Sequence, residues 1–321
     1  MNEVLSIVVP CYNEEEVLPD SIPKLRSVLD ELKKSGSISK DSFILLVDDG
    51  SRDRTWDIIK ENHDNSSDVW GQKLSRNCGH QSALLSGLMT ARERADISIS
   101  IDADLQDDIA VIKDMVDKYH EGCEIVYGIR GSRKKDSFFK RNTAQGYYKL
   151  LSSMGVKTVY NHADFRLMSK KALDELAMYQ ESNLYLRGLI PLLGLKTGEV
   201  VYERGIRQAG ESKYPLKKML ALAVNGITSF STEPIKMVLK TGVFALFICF
   251  AAAVYAFVSY ISGNVEKGWT SLILSIWFLG GVQLIAIGVI GEYVGRIYSE
   301  VKHRPLYHVE ELLDKQNVGG N

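Results

Sequence analysis

Residues 97–108 read ISISIDADLQDD, an alternating apolar stretch that runs directly into closely spaced carboxylates. The part up to Ile101 has the pattern of a short β-strand. Asp102 and Asp104 follow it at positions i and i+2, so both side chains can face the same ligand. Two carboxylates placed in this way can hold one hard cation. A solvated turn is the common alternative, but similar strand-to-acid junctions elsewhere in the chain favour a metal site.

The same alternation of strands and helices continues through the first 130 residues. Strands are predicted at 5–9, 43–47, 97–101 and 124–127, with helices at 15–34, 55–63, 81–94 and 109–120. This order is typical of an α/β domain with a mostly parallel sheet, in which ligands bind beyond the carboxyl ends of the strands. Residues 138–195 are predicted to be helical, with one polar loop at 160–166, and residues 199–204 to form a late strand.

The composition excludes several classes of protein. A formal net charge of -1 argues against a nucleic-acid binder that relies on bulk electrostatics. The four cysteines are widely spaced without a CxxC pair, which indicates neither a disulfide framework nor a zinc site. The chain also lacks the P-loop and dinucleotide-binding motifs.

Two uncharged apolar runs, 241–262 and 269–291, lie near the carboxyl end. Each has about 22 residues, or about 33 Å of helix, which is enough to cross a bilayer core. The short link between them predicts a transmembrane hairpin. Its flanks are richer in Lys and Arg than the link, which places the amino-terminal domain and both termini in the cytoplasm.

These features divide the chain into four predicted parts: a cytosolic α/β domain at 1–214, an interfacial amphipathic helix region at 215–234, the membrane hairpin at 235–295 and a cytosolic tail at 296–321. Gly291 and Gly295 have GxxxG spacing. Small residues at this spacing let helices approach closely, which would allow a homo-oligomer, although packing within one hairpin is the simpler interpretation.

Four motifs in order carry a family resemblance. They are VVPCYNE at 8–14, VDDGS at 47–51, NCGHQ at 77–81 and DADLQ at 102–106. Together they resemble the family 2 glycosyltransferases with the GT-A fold. More narrowly, the chain resembles the polyprenyl-phosphate glycosyltransferases, which include dolichyl-phosphate mannose synthases and bactoprenol glucosyltransferases. The resemblance covers most of residues 4–215, and the two-helix tail is similar to that of the bactoprenol branch.

The resemblance implies roles for individual residues. Asp48 or Asp49 would read the base, Asp102 would face the nucleotide, and Asp104 with Gln106 would bind Mg²⁺ or Mn²⁺ at the diphosphate. Oxygen-only ligands suit such ions. The remaining nucleotide-binding candidates are Pro10, Tyr12, Glu14 and Gln81, where the alternative for Gln81 is a helix-capping loop.

An anionic lipid phosphate needs basic residues where it enters a carboxylate-rich site, and arginine matches phosphate bidentately. The candidates are Arg130, Arg133 and Arg166 at the acceptor, with Arg204, Arg207, Ser212 and Lys213 closing over the diphosphate. Family members would offer Asp164 as a catalytic base. A phosphate monoester is already mostly dianionic at pH 7, however, so we expect Asp164 to orient Arg166 and the acceptor instead. Asp164→Asn should then keep most of its turnover, with a flat profile between pH 7 and 8.

The expected function is a metal-dependent, inverting transfer of one sugar from a UDP-sugar, with glucose favoured, to undecaprenyl phosphate on the cytosolic face. UDP-N-acetylglucosamine, UDP-galactose and GDP-mannose remain alternative donors. A processive polysaccharide synthase is disfavoured, because none of the four tryptophans follows an arginine, as a Gln-x-x-Arg-Trp motif requires. A catalytically silent membrane scaffold is disfavoured by the intact acidic and basic candidates.

Overall fold

The computed structural model describes residues 3–131, 162–179, 181, 185–203, 233–262 and 268–314. The chain divides into two compact units, one built around a β-sheet and the other formed by two long helices. The sheet unit also includes residues 304–314, which follow the helices in the sequence.

The strands of the sheet unit are β1 (Leu5–Cys11), β2 (Phe43–Asp48), β3 (Val69–Leu74), β4 (Ile97–Ser100), β5 (Ile125–Arg130), β6 (His162–Ser169), β7 (Thr197–Tyr202) and β8 (Val309–Leu313). Its helices are α1 (Leu18–Ser35), α2 (Thr55–Asp64), α3 (His80–Arg94), α4 (Ile112–His120), α5 (Lys170–Ala177) and the short α6 (Leu186–Leu189). The helical unit contains α7 (Glu233–Ile261) and α8 (Trp269–Val301).

The sheet has the strand order β7-β5-β6-β4-β1-β2-β3-β8. Four neighbouring strands, β4, β1, β2 and β3, run parallel, as do β5 and β7. Strand β6 runs antiparallel between β4 and β5, and β8 runs antiparallel along β3. The central strands β1 and β2 are buried along their whole length, which explains their mostly apolar sequences. The predicted α/β class with a mostly parallel sheet is confirmed.

The prediction of a polar loop at 160–166 is wrong, because residues 162–169 form strand β6. Asp164 and Arg166 interrupt the apolar pattern of this segment, and the sequence therefore looked like a loop. In the structure both side chains are buried and bind each other, so their charges are compensated inside the sheet.

Strands β3 and β8 were not predicted either. Strand β8 lies in the segment predicted as a tail, where Glu310 and Glu311 mask an edge strand.

Helix α3 lies directly on the sheet at Gly87. A Cβ at this position would stand 2.5 Å from Val8 Cγ1 and 2.7 Å from Val47 Cγ2. Alanine is favoured over glycine in a helix, but overpacking of this size outweighs that gain. We expect Gly87→Ala to lower the free energy of unfolding by about 1–3 kcal/mol, measured by chemical unfolding of the purified protein. Glu93→Ala, exposed on the same helix, is the control and should change it by less than about 0.5 kcal/mol.

The two long helices cover both predicted apolar runs. They expose large apolar side chains, among them Phe244, Phe247 and Phe250 on α7 and Leu284, Ile285 and Ile287 on α8. Within the described residues one stretch, Phe278–Val301, is long and apolar enough to cross a membrane. No residue in its most apolar part is buried. A helix that is apolar on all sides and exposed to solvent is costly in water, and this unit therefore favours association with a membrane.

Candidate active site

The loops that follow β1, β2 and β4 meet at one edge of the sheet, because these strands are parallel neighbours. They carry residues 12–14, 48–51 and 102–108. Strand β6 reaches the same edge, since its residue Arg166 lies opposite Ser100, the last residue of β4. Predicted site residues from four separate segments of the sequence are thus brought together.

The backbone of the loop after β1 donates hydrogen bonds to side-chain hydroxyl groups that follow β2. Asn13 N–H donates to Ser51 Oγ at 3.0 Å, and Glu14 N–H donates to Thr55 Oγ1 at 2.8 Å. Asn13 itself adopts a left-handed backbone conformation, with φ at 55°. The side chain of Tyr12 is 41% exposed and can stack on a ligand, whereas Pro10 is buried within β1 and has a structural position. The exposed Tyr12 thus lies at the left-handed turn that ends β1.

The structure separates the two aspartates that the sequence left as alternatives. Both carboxylate oxygens of Asp49 accept backbone hydrogen bonds, from Cys78 N at 2.7 Å and Gly79 N at 2.9 Å. Asp48 is fully buried; its Oδ1 accepts from Ser51 N at 3.2 Å, and its Oδ2 has no partner among the described residues. Burial raises the pKa of the Asp48 carboxyl group. Asp49 therefore holds the loop before α3, and Asp48 has an acceptor oxygen to spare.

The loop held by Asp49 leads into α3, whose first residues are His80 and Gln81. Gln81 Oε1 accepts a hydrogen bond from Leu186 N at 3.1 Å, which ties the start of α3 to α6. His80 Nε2 lies 3.6 Å from both Asp102 Oδ1 and Asp164 Oδ2. Desolvation opposes protonation of His80, but these two carboxylates outweigh it and raise the pKa of the imidazole. His80 thus links the end of β4 to β6.

Residues 102–108, here called the acidic run, follow β4 and concentrate negative charge. Desolvation raises the pKa of Asp102, His80 opposes this shift, and the carboxylates of Asp164, Asp107 and Asp104 reinforce it. A bound cation would relieve this repulsion. No group of three or more His, Cys, Asp or Glu side chains suited to a metal occurs among the described residues. A magnesium ion at a diphosphate needs only one or two carboxylates, since phosphate oxygens and water complete its shell.

Gln106 is positioned to join Asp104 at such an ion. Gln106 is 8% exposed, and its Nε2 donates to Asp104 Oδ2 at 2.6 Å. The two ends of a carboxamide exchange places by a half-turn about the side chain, which would direct Oε1 towards the carboxylate instead. Two oxygens facing each other at this distance attract a cation. The donor chemistry of Asp104 and Gln106 therefore fits Mg²⁺ or Mn²⁺.

Arg130, at the end of β5, binds Asp107 through two nitrogens. Its Nε and Nη2 donate to Asp107 Oδ1 at 3.1 and 3.0 Å. Asp107 is 3% exposed, while 30% of the Arg130 side chain remains exposed. Arg130 is thus a partly exposed guanidinium with a fixed orientation next to the acidic run, consistent with a place at the rim of the site.

Asp164 is the most heavily paired carboxylate of the site. Arg166 Nη2 donates to its Oδ1 at 2.5 Å, and Arg187 donates to both oxygens, through Nε at 3.1 Å and Nη2 at 2.8 Å. Burial would raise the pKa of Asp164, yet His80 and the two arginines hold it well below the usual range. A carboxylate bound in this way is a poor proton acceptor.

Three residues of this site were not predicted from the sequence: His80, Asp107 and Arg187. His80 and Asp107 lie inside or next to motifs that drew attention, whereas Arg187 had no local signal. The remaining predicted residues, Arg133, Arg204, Arg207, Ser212 and Lys213, lie outside the described residues, as does most of the interfacial segment 215–234.

Comparison with protein families finds two matches. The glycosyl transferase family 2 profile matches residues 6–177, and the GtrB C-terminal hairpin profile matches residues 233–297. The second range covers all of α7 and most of α8. Sequence likeness therefore includes both the sheet unit and the helical unit.

Individual relatives share nearly the whole chain. The uncharacterized glycosyltransferase YkoT of Bacillus subtilis (strain 168) is 56% identical, over 98% of this chain and 93% of that protein. The bactoprenol glucosyl transferase of Shigella phage SfV is 40% identical, over 97% of this chain and 99% of that protein. Among solved structures, mannosyl-3-phosphoglycerate synthase from Rubrobacter xylanophilus is 16% identical with a TM-score of 0.47, over 70% of this chain and 71% of that one.

Proposed function

The chain belongs to glycosyl transferase family 2, and we propose that it transfers one glucose residue from UDP-glucose to undecaprenyl phosphate at a membrane surface. The observation that carries the proposal is the likeness to a bactoprenol glucosyl transferase over 97% of the chain, hairpin included. Because the likeness does not stop at the catalytic unit, it favours a lipid acceptor over a soluble one.

The proposed reaction is a single displacement. An oxygen of the lipid phosphate attacks the anomeric carbon of glucose, and the bond from that carbon to the diphosphate breaks. UDP leaves with the electron pair, and the configuration at the anomeric carbon is inverted. Phosphate esters have a second pKa near 6, so the nucleophile is already dianionic at pH 7 and has no proton to lose.

The low pKa of Asp164 supports a reaction without a protein base. Asp164 remains ionised at any physiological pH, but its oxygens are occupied by Arg166 and Arg187. A general base must have an oxygen free to reach the proton that it removes. Asp164 is therefore proposed to orient Arg166 and the anionic acceptor rather than to remove a proton.

The donor is proposed to bind along the edge formed by β1, β2 and β4. Tyr12 would stack on the base, the Glu14 carboxylate would accept from ribose hydroxyls, and Asp48 would accept a hydrogen bond from the base. Asp104 and Gln106 would hold Mg²⁺ or Mn²⁺ against the diphosphate. When bound, such an ion stabilises the charge that develops on the leaving diphosphate.

The helical unit is proposed to be a hairpin with two membrane spans and the catalytic unit on the cytoplasmic side. Five basic residues flank the two apolar runs: Lys236, Lys240, Arg296, Lys302 and Arg304. The link between the runs contains only Lys267. An excess of Lys and Arg marks the cytoplasmic side of a membrane protein, and this distribution supports a cytoplasmic location for both ends of the hairpin.

The function can be tested with the purified protein in vesicles that contain undecaprenyl phosphate. Four labelled donors are supplied separately: UDP-glucose, UDP-N-acetylglucosamine, UDP-galactose and GDP-mannose. We expect Mg²⁺- or Mn²⁺-dependent transfer of label from UDP-glucose into an extractable lipid that carries one sugar. Transfer from another donor alone would replace glucose in the proposal. A water-soluble polymer would indicate a processive synthase, and no transfer from any donor would favour a silent scaffold.

A further inference from the structure

Asp164 forms ion pairs with two arginines, Arg166 and Arg187. One carboxylate, 6% exposed, is shared by the guanidinium groups of Arg166 and Arg187. A single well-placed guanidinium suffices to compensate a buried carboxylate, because it supplies both charge and hydrogen bonds. Arg166 alone can therefore compensate Asp164, which allows Arg187 to share its guanidinium group with a second anion.

Exposure distinguishes the two arginines. The side chain of Arg166 is 1% exposed and lies within the sheet on β6. The side chain of Arg187 is 38% exposed, although its neighbours Leu186 and Leu189 are buried and anchor α6. A ligand that enters from solvent can thus reach Arg187 before it reaches Arg166.

Arg187 also stands next to the reacting end of the donor site. Its Nη2 binds Asp164 Oδ2, the oxygen that lies 3.6 Å from His80 Nε2. The same His80 nitrogen lies 3.6 Å from Asp102, in the acidic run after β4. In addition, α6 is joined to α3 by the hydrogen bond between Leu186 and Gln81. Arg187 is therefore connected to the acidic run through three successive contacts, from Arg187 to Asp164, from Asp164 to His80 and from His80 to Asp102.

We propose that Arg187 binds the phosphate group of the lipid acceptor, turning part of its guanidinium from Asp164 to the phosphate while Arg166 keeps Asp164 compensated. The planar fork of arginine matches two phosphate oxygens as well as it matches a carboxylate. Asp164 holds the fork in position before the acceptor arrives. This inference rests on the proposed function and assigns the acceptor phosphate a residue that no sequence motif indicated.

The test compares Arg187→Gln with the wild-type protein in vesicles that contain undecaprenyl phosphate. Because a charge-assisted contact to the phosphate is lost, the KM for undecaprenyl phosphate should rise by at least about tenfold, with the KM for the nucleotide sugar within about twofold of wild type. Arg187→Lys should recover part of the loss, since it restores the charge without the fork. Arg92→Gln is the matched control, because Arg92 is 36% exposed and binds Asp174 at 3.0 Å.

Direct binding of undecaprenyl phosphate, measured in the presence of UDP and without turnover, separates this inference from the proposed function. It should weaken at least about tenfold in Arg187→Gln and remain unchanged in Arg92→Gln. If the wild-type protein binds the lipid phosphate through Arg187 but transfers no sugar to it, the proposed function fails and the inference stands. An unchanged acceptor affinity in Arg187→Gln, a rise in the donor KM alone, or a wild-type protein that does not bind the lipid would overturn the inference.

Discussion

Asp104→Asn should reduce sugar transfer by about a thousandfold, which corresponds to about 4 kcal/mol of transition-state stabilisation. The amide keeps the shape of the side chain but loses the charge that would hold a divalent ion. Asp104 is half-buried and bonded to Gln106, so we expect the fold to survive the change. The measurement is the initial rate of glucose transfer at increasing Mn²⁺ concentration, together with the thermal unfolding temperature.

Asp114→Asn provides the matched control for this experiment. Asp114 is exposed in the first turn of α4, away from the acidic run, and its substitution should leave the rate within about twofold of wild type. The result would count against a metal at Asp104 if the Asn variant kept its rate and its dependence on Mn²⁺. A loss of rate that is partly recovered at high Mn²⁺ concentration would instead indicate weakened metal binding, as proposed.

The fold was predictable where one physical signal dominated. Strands β1, β2 and β4 are short, mostly apolar and buried, and polar candidate residues follow them directly. Strand β6 was mistaken for a loop because its two charges are compensated by contacts that exist only after folding. Strand β8 pairs with β3 across more than 200 residues of sequence, and its two consecutive glutamates resemble a solvated tail.

In the candidate site, too, some features could be predicted from the sequence and others could not. Candidate residues near strand ends, such as Asp48, Asp102 and Asp104, could be proposed from the sequence because the topology of a parallel sheet fixes where they lie. The partners of these residues were not identified, because a hydrogen bond between distant segments leaves no trace in local spacing. Asp49 illustrates the point: its motif suggested contact with a ligand, while its two oxygens hold the backbone of the loop at Cys78 and Gly79.

Asp164→Asn should lower the free energy of unfolding by about 3–5 kcal/mol, because removing one partner of a buried pair leaves the other charge uncompensated. The residue affected is Arg166, which is 1% exposed and cannot reach solvent. Chemical unfolding of the purified protein measures the loss. Asp174→Asn is the matched control: it breaks the exposed pair with Arg92 and should cost less than about 1 kcal/mol.

The dependence of this loss on pH follows from the depressed pKa of Asp164. A carboxyl group whose pKa is lower in the folded state stabilises the fold above its unfolded pKa, about 4, and loses this effect as the pH falls through the folded value. The difference in stability between wild type and Asp164→Asn should therefore shrink in strong acid. It should also decrease as the pH rises through the raised pKa of His80, because Asp164 stabilises the protonated imidazole. A difference that disappeared near neutral pH would contradict a permanently ionised Asp164.

The same variant decides whether Asp164 removes a proton during the reaction. Because Asp164→Asn lowers stability, its rate is expressed per folded molecule, with the folded fraction taken from the unfolding curve. If Asp164 only orients Arg166 and Arg187, this rate should stay within about twofold of wild type and stay flat between pH 7 and 8, where the acceptor is already dianionic. A general base that has been removed leaves a different signature: a much larger loss that is recovered as the pH rises and hydroxide replaces the missing carboxylate. A rate that does not change with pH indicates an orienting role, and a rate that rises with pH indicates a missing base. The slope of the rate against pH therefore assigns the role of Asp164, whereas the magnitude of the loss does not.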